Sequence, residues 1–198
     1  MRFLLHRIIQ LFIFFCSVFV IPAYAETIEN TNPMVHAISL YGTPKYPEDF
    51  QHFNYVNPDA PKGGTIKQGV MGHFDSLTPY IDRGTAAAGS YLMYDTLLAR
   101  SWDEPLTKYG LIAEKIQLDP QNKWVAFTIN PLAQFHDGTK VTAQDVKFSF
   151  DLLREKGSTF YKQFYQDIKN AEISSPLKVT FHFRNSVNLE LPLILGQM

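Results

Sequence analysis

The stretch Gln134–Phe150, QFHDGTKVTAQDVKFSF, decides how this chain folds. Asp137-Gly138 is a strong turn signal, because Asp and Gly suit the backbone of tight turns. Thr142 precedes Asp145 in a Thr-x-x-acid arrangement, which predicts a helix start. The Thr oxygen accepts from the Asp145 amide, and the carboxylate sits in the positively polarised first turn. Val146, Phe150 and Leu153 then recur at spacings of four and three, an apolar helix face flanked by Phe148 and Leu152. With Gly157 as the stop, the spacing predicts a helix over Ala143 to about Lys156.

His136-Asp137 invites a chemical reading as well. Neighbouring residues usually point apart, so one His beside one Asp in a turn is not a chelate. A catalytic site needs a nucleophile, base and orienting group that converge. No HExxH, HxH or GxSxG pattern occurs, and His36, His52, His73 and His182 are scattered. The expectation is therefore no catalytic residue, no metal site and no cofactor, with His136 structural or on the surface.

Outward from this stretch, strands and helices mix. PLKVTFHFRN alternates Leu177, Val179, Phe181 and Phe183 against Lys178, Thr180, His182 and Arg184, which predicts a strand with His182 facing solvent. Trp124–Ile129 and His36–Gly42 read as further strands, and Ile66–Gly72 as another. Leu111–Gln117 opens a segment rich in Ile, Ala and Glu. Tyr91, Tyr94, Leu97 and Leu98 suggest a helix face. Between them, residues 43–64 are dense in Pro, Gly, Asn and Asp, a long loop. Its aromatics Tyr46, Phe50, Phe53 and Tyr55 predict that it packs on something. No repeat occurs, and the class is α/β, in the mixed α+β sense.

Two short motifs bear on ligands. APKGGT lacks the GxxxxGK[ST] spacing of a phosphate loop and reads as a turn feeding a strand. GTAAAG, Gly84–Gly89, places small residues just before a predicted helix, where a ligand can approach backbone N–H groups.

Both ends are informative. Arg2 and Arg7 precede an apolar run from Ile8 to Ile21, and Ala23-Tyr24-Ala25 fits the small-x-small cleavage pattern. Residues 1–25 therefore read as a cleaved signal peptide, and 26–35, polar and without period, as a flexible lead-in. Cys16 is the only cysteine and lies in that segment, after Phe14 and Phe15, so a lipid anchor and disulfides are not expected. Without residues 1–25 the chain carries 16 basic against 19 acidic side chains, a net charge of −3. Nothing basic enough for nucleic acid remains. At the far end, Leu189, Leu191, Leu193, Ile194 and Leu195 need burial. Either the chain is the front part of a longer protein, or a short terminal element docks on the core.

In order along the chain, GGTIKQGVMGHFDSLTPYI, YDTLLA, LIAEKIQL, WVAFTINPLAQFHDGTKVTAQDVKFSFDLL and IKNAEISSPLKVTFHFRNS resemble the front part of one family. It is the periplasmic oligopeptide/dipeptide-binding family of ABC importers, extracellular solute-binding family 5. The lead-in HAISLYGTPKYPEDFQHFNYVNPDAPKGGT resembles its Yej-type branch, the binding component of a peptide importer that also takes up microcin C. The resemblance covers nearly everything from His36 onward.

The resemblance implies two α/β lobes joined by a hinge and a peptide held between them in extended form. It implies a closed complex handed to an inner-membrane permease, no catalysis and usually no metal. Residues 36–198 would then be the N-terminal part of lobe I, incomplete by the family's measure. The expected protein is a periplasmic, monomeric peptide-binding component. The alternative is an exported single lobe, from a split or decayed gene, that binds a partner or nothing. By loop position and family analogy, the ligand wall is expected at Phe74, Asp75 and Ser76, then Gly84, Thr85 and Ala86. Aromatics there can stack on a peptide, and Asp75 can meet its amine.

Overall fold

A computed structural model describes residues 32–198. The predicted signal peptide 1–25 and residues 26–31 of the lead-in lie outside the described residues. Along the chain run β1 (Met34–Val35), β2 (Ala37–Ser39), a one-turn 3-10 helix (Ser90–Met93), β3 (Leu98–Arg100), β4 (Thr107–Gly110), β5 (Ala113–Leu118) and β6 (Trp124–Ile129). Then come α1 (Ala143–Lys156), α2 (Thr159–Phe164), β7 (Ile168–Ser175), β8 (Lys178–Phe183) and α3 (Leu191–Leu195).

The strands form two antiparallel sheets, ordered β1-β5-β6-β8-β7 and β2-β4-β3. The alternation in β8 sets the register of the larger one. Phe181 lies opposite Val125, and Val179 opposite Phe127, so one face carries a continuous row of large apolar side chains. Helix α1 closes over that face with Val146 and Phe150. The Phe150 ring packs at 5.2 Å from Phe181 and 5.2 Å from Tyr165. His182 emerges on the opposite face and pairs with Glu172 at 3.2 Å, so it is solvent-facing as the alternation implies.

The helix start is as read. One Asp145 carboxylate oxygen accepts from the Thr142 N–H at 2.9 Å and from its hydroxyl at 2.6 Å, and the pair forms a capping box. Gly157 ends α1 in extended backbone, and a side chain there would run into the Leu153 carbonyl. Before the helix, Asp137 accepts from the Thr139 N–H at 2.8 Å. Gln134 bridges Lys140 across the turn, so 134–140 is a small hairpin between β6 and α1.

The loop aromatics pack as expected. Tyr46, Phe50 and Phe53 surround Tyr109 of β4 in a second, smaller core. Polar bonds fasten it. The Tyr46 hydroxyl donates to Asp103 at 2.6 Å, the Tyr109 hydroxyl donates to Glu104 at 2.6 Å, and the Lys45 N–H donates to Glu104 at 2.7 Å. The Lys45 ammonium, then the hydroxyls of Tyr46 and Ser101, hold the Asp103 carboxyl well below the usual range.

Four expectations are corrected. The helix over Tyr91–Leu98 is a single 3-10 turn, and Leu98 belongs to β3. Here tertiary pairing overrides the spacing: the Leu97 and Leu98 amides donate to the Met198 and Gly196 carbonyls. Residues 66–72 form no strand; Ile66, Val70 and Met71 are exposed, and no described strand pairs with them. The turn APKGGT consequently feeds no strand. Met34–Val35, read as flexible lead-in, pair with Gln117 and Ile116 of β5. At the far end no expectation is overturned: α3 docks Leu191, Leu193 and Leu195 into the main core, while Leu189 stays exposed. Among the described residues no helix is long and apolar enough to cross a membrane.

Phe150→Ala is expected to cost about 3–5 kcal/mol in urea unfolding, the usual loss for a buried Phe. Phe148→Ala, on the exposed flank of the same helix, should stay within about 0.5 kcal/mol. Equal losses at both positions would contradict this packing.

Candidate functional site

The six residues expected to form a ligand wall come from two loop segments ten residues apart, and the fold brings them side by side. Ser76 and Ala86 form an isolated parallel bridge. The Asp75 and Ser76 amides donate to the Thr85 carbonyl at 3.0 and 3.2 Å, and the Ala87 amide donates to the Ser76 carbonyl at 2.8 Å. An Asp75 carboxylate oxygen accepts from the Thr85 N–H at 2.6 Å. Ser76 turns the chain locally, its hydroxyl taking the Thr78 N–H at 3.2 Å.

Gly84 is required here on two counts. Its φ is +85°, a region that L side chains rarely adopt, and an added Cβ would lie 2.6 Å from the Asp75 carboxylate. Phe74, Asp75, Gly84, Thr85 and Ala86 are exposed, and Ser76 is half-buried. The pair therefore presents an aromatic ring and a carboxylate to solvent on a hydrogen-bonded backbone.

The loop is anchored at its middle. The Tyr80 carbonyl accepts from the Ser158 N–H at 2.8 Å. Asp82 accepts from both the N–H and the hydroxyl of Thr159 at 2.8 Å. Those bonds, the backbone one first, hold the Asp82 carboxyl below its ordinary value. The Tyr80 ring packs edge-on against Tyr94 at 5.0 Å and lies 5.9 Å from Tyr161. Burial pushes the Tyr80 hydroxyl up to about 12.

Tyr94 also opens onto a cleft of about 640 Å³, lined by Leu111, Asn130, Phe135, His136 and Asp145 among others. That size suits a small ligand, and apolar walls with a few polar groups are the usual form of a binding pocket. Sequence reasoning did not find it. Its lining comes from the 3-10 turn, the residues following β4 and β6, the hairpin and α1, and no local pattern unites them. His136 stands on its wall without a converging partner set. Among the described residues no three His, Cys, Asp or Glu side chains come together as metal donors. The helix expected after GTAAAG is the four-residue 3-10 turn with Gly89 before it, too short to concentrate a helix-end charge.

Residues 97–197 match the family described as "Bacterial extracellular solute-binding proteins, family 5 Middle". A protein named "Peptidoglycan-binding protein YepA" from Agrobacterium fabrum is 44% identical over 170 residues, 82% of this chain and 28% of its own length. A "Probable peptide-binding protein YejA" from the same organism is 37% identical over 182 residues, 92% of this chain and 29% of its own length. The chain thus spans less than a third of these relatives. Among solved structures, NikZ from Campylobacter jejuni in complex with Ni(L-His) aligns with a TM-score of 0.52 at 21% identity, over 64% of this chain and 25% of that one. At that identity the likeness concerns the fold alone.

The Asp82–Thr159 latch has a defined pH dependence. Its folded pKa lies below the unfolded one, so the contribution is full above the ordinary Asp value of 3.8 and fades as pH falls through the folded value. In an NMR titration the Thr159 amide should shift below pH 3.8. Asp82→Asn should abolish that titration. A Thr159 amide that ignores acid would refute the latch. Gly84→Ala should raise hydrogen exchange at the Asp75 and Ser76 amides and leave the core strands protected. Unchanged exchange at both amides would contradict the requirement for glycine.

Proposed function

We propose that this chain, which belongs to the family 5 bacterial extracellular solute-binding proteins, presents one wall of a peptide-binding cleft in the substrate-binding component of an ABC importer. The convergence of Phe74–Ser76 with Gly84–Ala86 carries the proposal. Any short peptide offers an amine and an amide backbone. Asp75 spends one oxygen on the Thr85 N–H and can meet the amine with the other. Phe74 can stack on the adjoining peptide plane. Residue side chains of the peptide would point toward the neighbouring cleft, which has the size for one or two of them.

The proposal includes export through a cleaved segment 1–25, a periplasmic location, and residues 36–198 as the N-terminal part of the first lobe. It also includes hand-over of the loaded protein, as a monomer, to an inner-membrane permease. In this reading the chain binds a ligand and catalyses no reaction. Ligand contacts on two walls would favour closure, as in any two-state clamp. One relative's name points to peptides. The name of another favours a narrower second reading, in which the peptide belongs to a peptidoglycan fragment.

Calorimetry separates these readings. One wall buries only part of a ligand, so a mixture of short peptides should bind weakly, with a Kd of about 1 mM, equivalent to about −4 kcal/mol. Asp75→Asn keeps the acceptor for Thr85 and removes the charge, and should weaken binding about tenfold. A peptidoglycan-derived peptide that binds at least about tenfold more tightly than the mixture would select the second reading. A blank titration with both ligands would leave the non-binding single lobe. Binding that is indifferent to Asp75→Asn would move the site elsewhere.

A further inference from the structure

We infer that Lys123, Lys169 and Arg184, with His182, form a surface site for a polyvalent oxyanion, a phosphoryl or polycarboxylate group. The four residues line a hollow of about 540 Å³ at one end of the larger sheet, where the β5–β6 turn, the start of β7 and the end of β8 meet. Among the described residues Lys123, Lys169 and Arg184 have no ion pair. Without residues 1–25 the chain is net negative, so this concentration of cations runs against its average. A concave surface lined by one sign of charge focuses the field and gathers counter-ions.

The backbone brings these cations together. Strand β7 is an edge of its sheet. Ile168 lies opposite Phe183 and Asn170 opposite His182, so the register slips by one residue and Lys169 is the extra one. A bulge of this kind re-aims a side chain. Ile168 and Phe183 stay buried, while Lys169 is exposed and lines the hollow beside Asn170. The end of β8 is held by β7: the Arg184 N–H donates to the Asp167 carbonyl at 2.8 Å, and the Arg184 Nε donates to the Gln166 carbonyl at 2.9 Å. The second bond fixes the guanidinium plane and leaves its two terminal nitrogens for a ligand. On the other side, the Asn122 side-chain amide donates to the Ser186 and Asn188 carbonyls at 3.0 and 3.1 Å. The Lys123 carbonyl accepts from the Phe183 N–H at 2.8 Å, so the β5–β6 turn is tied to β8 and the residues after it.

The nearby acids do not neutralise the group. Glu172 lines the hollow, and its carboxylate meets His182 at 3.2 Å. Asp167 accepts from the Asn185 side-chain amide at 3.3 Å and Asp119 from the Lys123 N–H at 2.8 Å, and neither acid lines the hollow. A guanidinium fork takes two oxygens of one anionic group, whereas lysine ammoniums act as point charges. One carboxylate would satisfy Arg184 alone, so three cations select for a ligand with several anionic oxygens. The site shares no residue with the paired loops of the proposed peptide wall or with the cleft beside Tyr94.

Inorganic pyrophosphate, citrate and acetate, each titrated at constant ionic strength against chloride, test the site by NMR at the backbone amides of Lys123, Lys169, Asn170 and Asn185. Saturable shifts are expected with pyrophosphate, citrate or both, and acetate should bind at least about tenfold more weakly. Saturation by pyrophosphate alone would assign a phosphoryl ligand, and by citrate alone a polycarboxylate. Lys169→Gln and Arg184→Gln should each weaken the response about tenfold. Glu172→Gln removes the acid from the hollow and should strengthen it about threefold, a gain that loss of structure cannot mimic. Should Arg184→Gln not fold, the other two variants, at exposed positions, still carry the test. Linear shifts no larger than those with chloride would overturn the site. So would a Lys169→Gln variant that binds unchanged but self-associates, which would make Lys169 and its bulge a guard of the open sheet edge instead.

Discussion

The contact of Phe150 with Phe181 and Tyr165 is the constraint on which the rest of the molecule depends. It pins α1 to the β7–β8 hairpin and thereby fixes both ends of the helix in space. The first end holds the hairpin 134–140, whose Phe135 and His136 face the cleft. Beyond the second end, Ser158 and Thr159 take the Tyr80 carbonyl and the Asp82 carboxylate. One helix therefore positions both candidate ligand surfaces. The Arg154 guanidinium lies 4.8 Å from the ring centroid of Phe150, which covers the outer part of this contact without leaving it wet.

Legibility in the sequence followed the range of the interactions. The helix Ala143–Lys156 was readable to the residue because its cap, its face and its stop lie within the segment. Strands β6 and β8 were readable because alternation is local and the structure rewards it with a two-strand register. The region 90–98 was misread because its aromatic and leucine spacing suits a helix, whereas its backbone is claimed by Gly196 and Met198 at the far end of the chain. Residues 66–72 were read as a strand, yet a strand exists only beside a partner, and none of the described strands supplies one.

The candidate site divides the same way. Proximity of 74–76 to 84–86 was anticipated from loop position and family resemblance, while the bonds that make it rigid were not. The Asp75–Thr85 bond and the need for glycine at 84 depend on two segments meeting. The cleft was invisible for a stronger reason: its walls come from segments scattered between residues 93 and 198. The Tyr46–Tyr109 cluster was half visible. The aromatic content of the loop announced packing, but the acids that orient its hydroxyls come from the remote β3–β4 turn.

A peptide carrying a photoreactive group at its N-terminal residue, cross-linked to the chain and mapped by mass spectrometry, tests the proposed wall most directly. If the paired loops receive the peptide amine, labels will concentrate on residues 74–76 and 84–86, and an excess of unlabelled peptide will remove them. Labels that fall outside those segments, or that persist under competition, would contradict a ligand wall built on Asp75 and its partner loop.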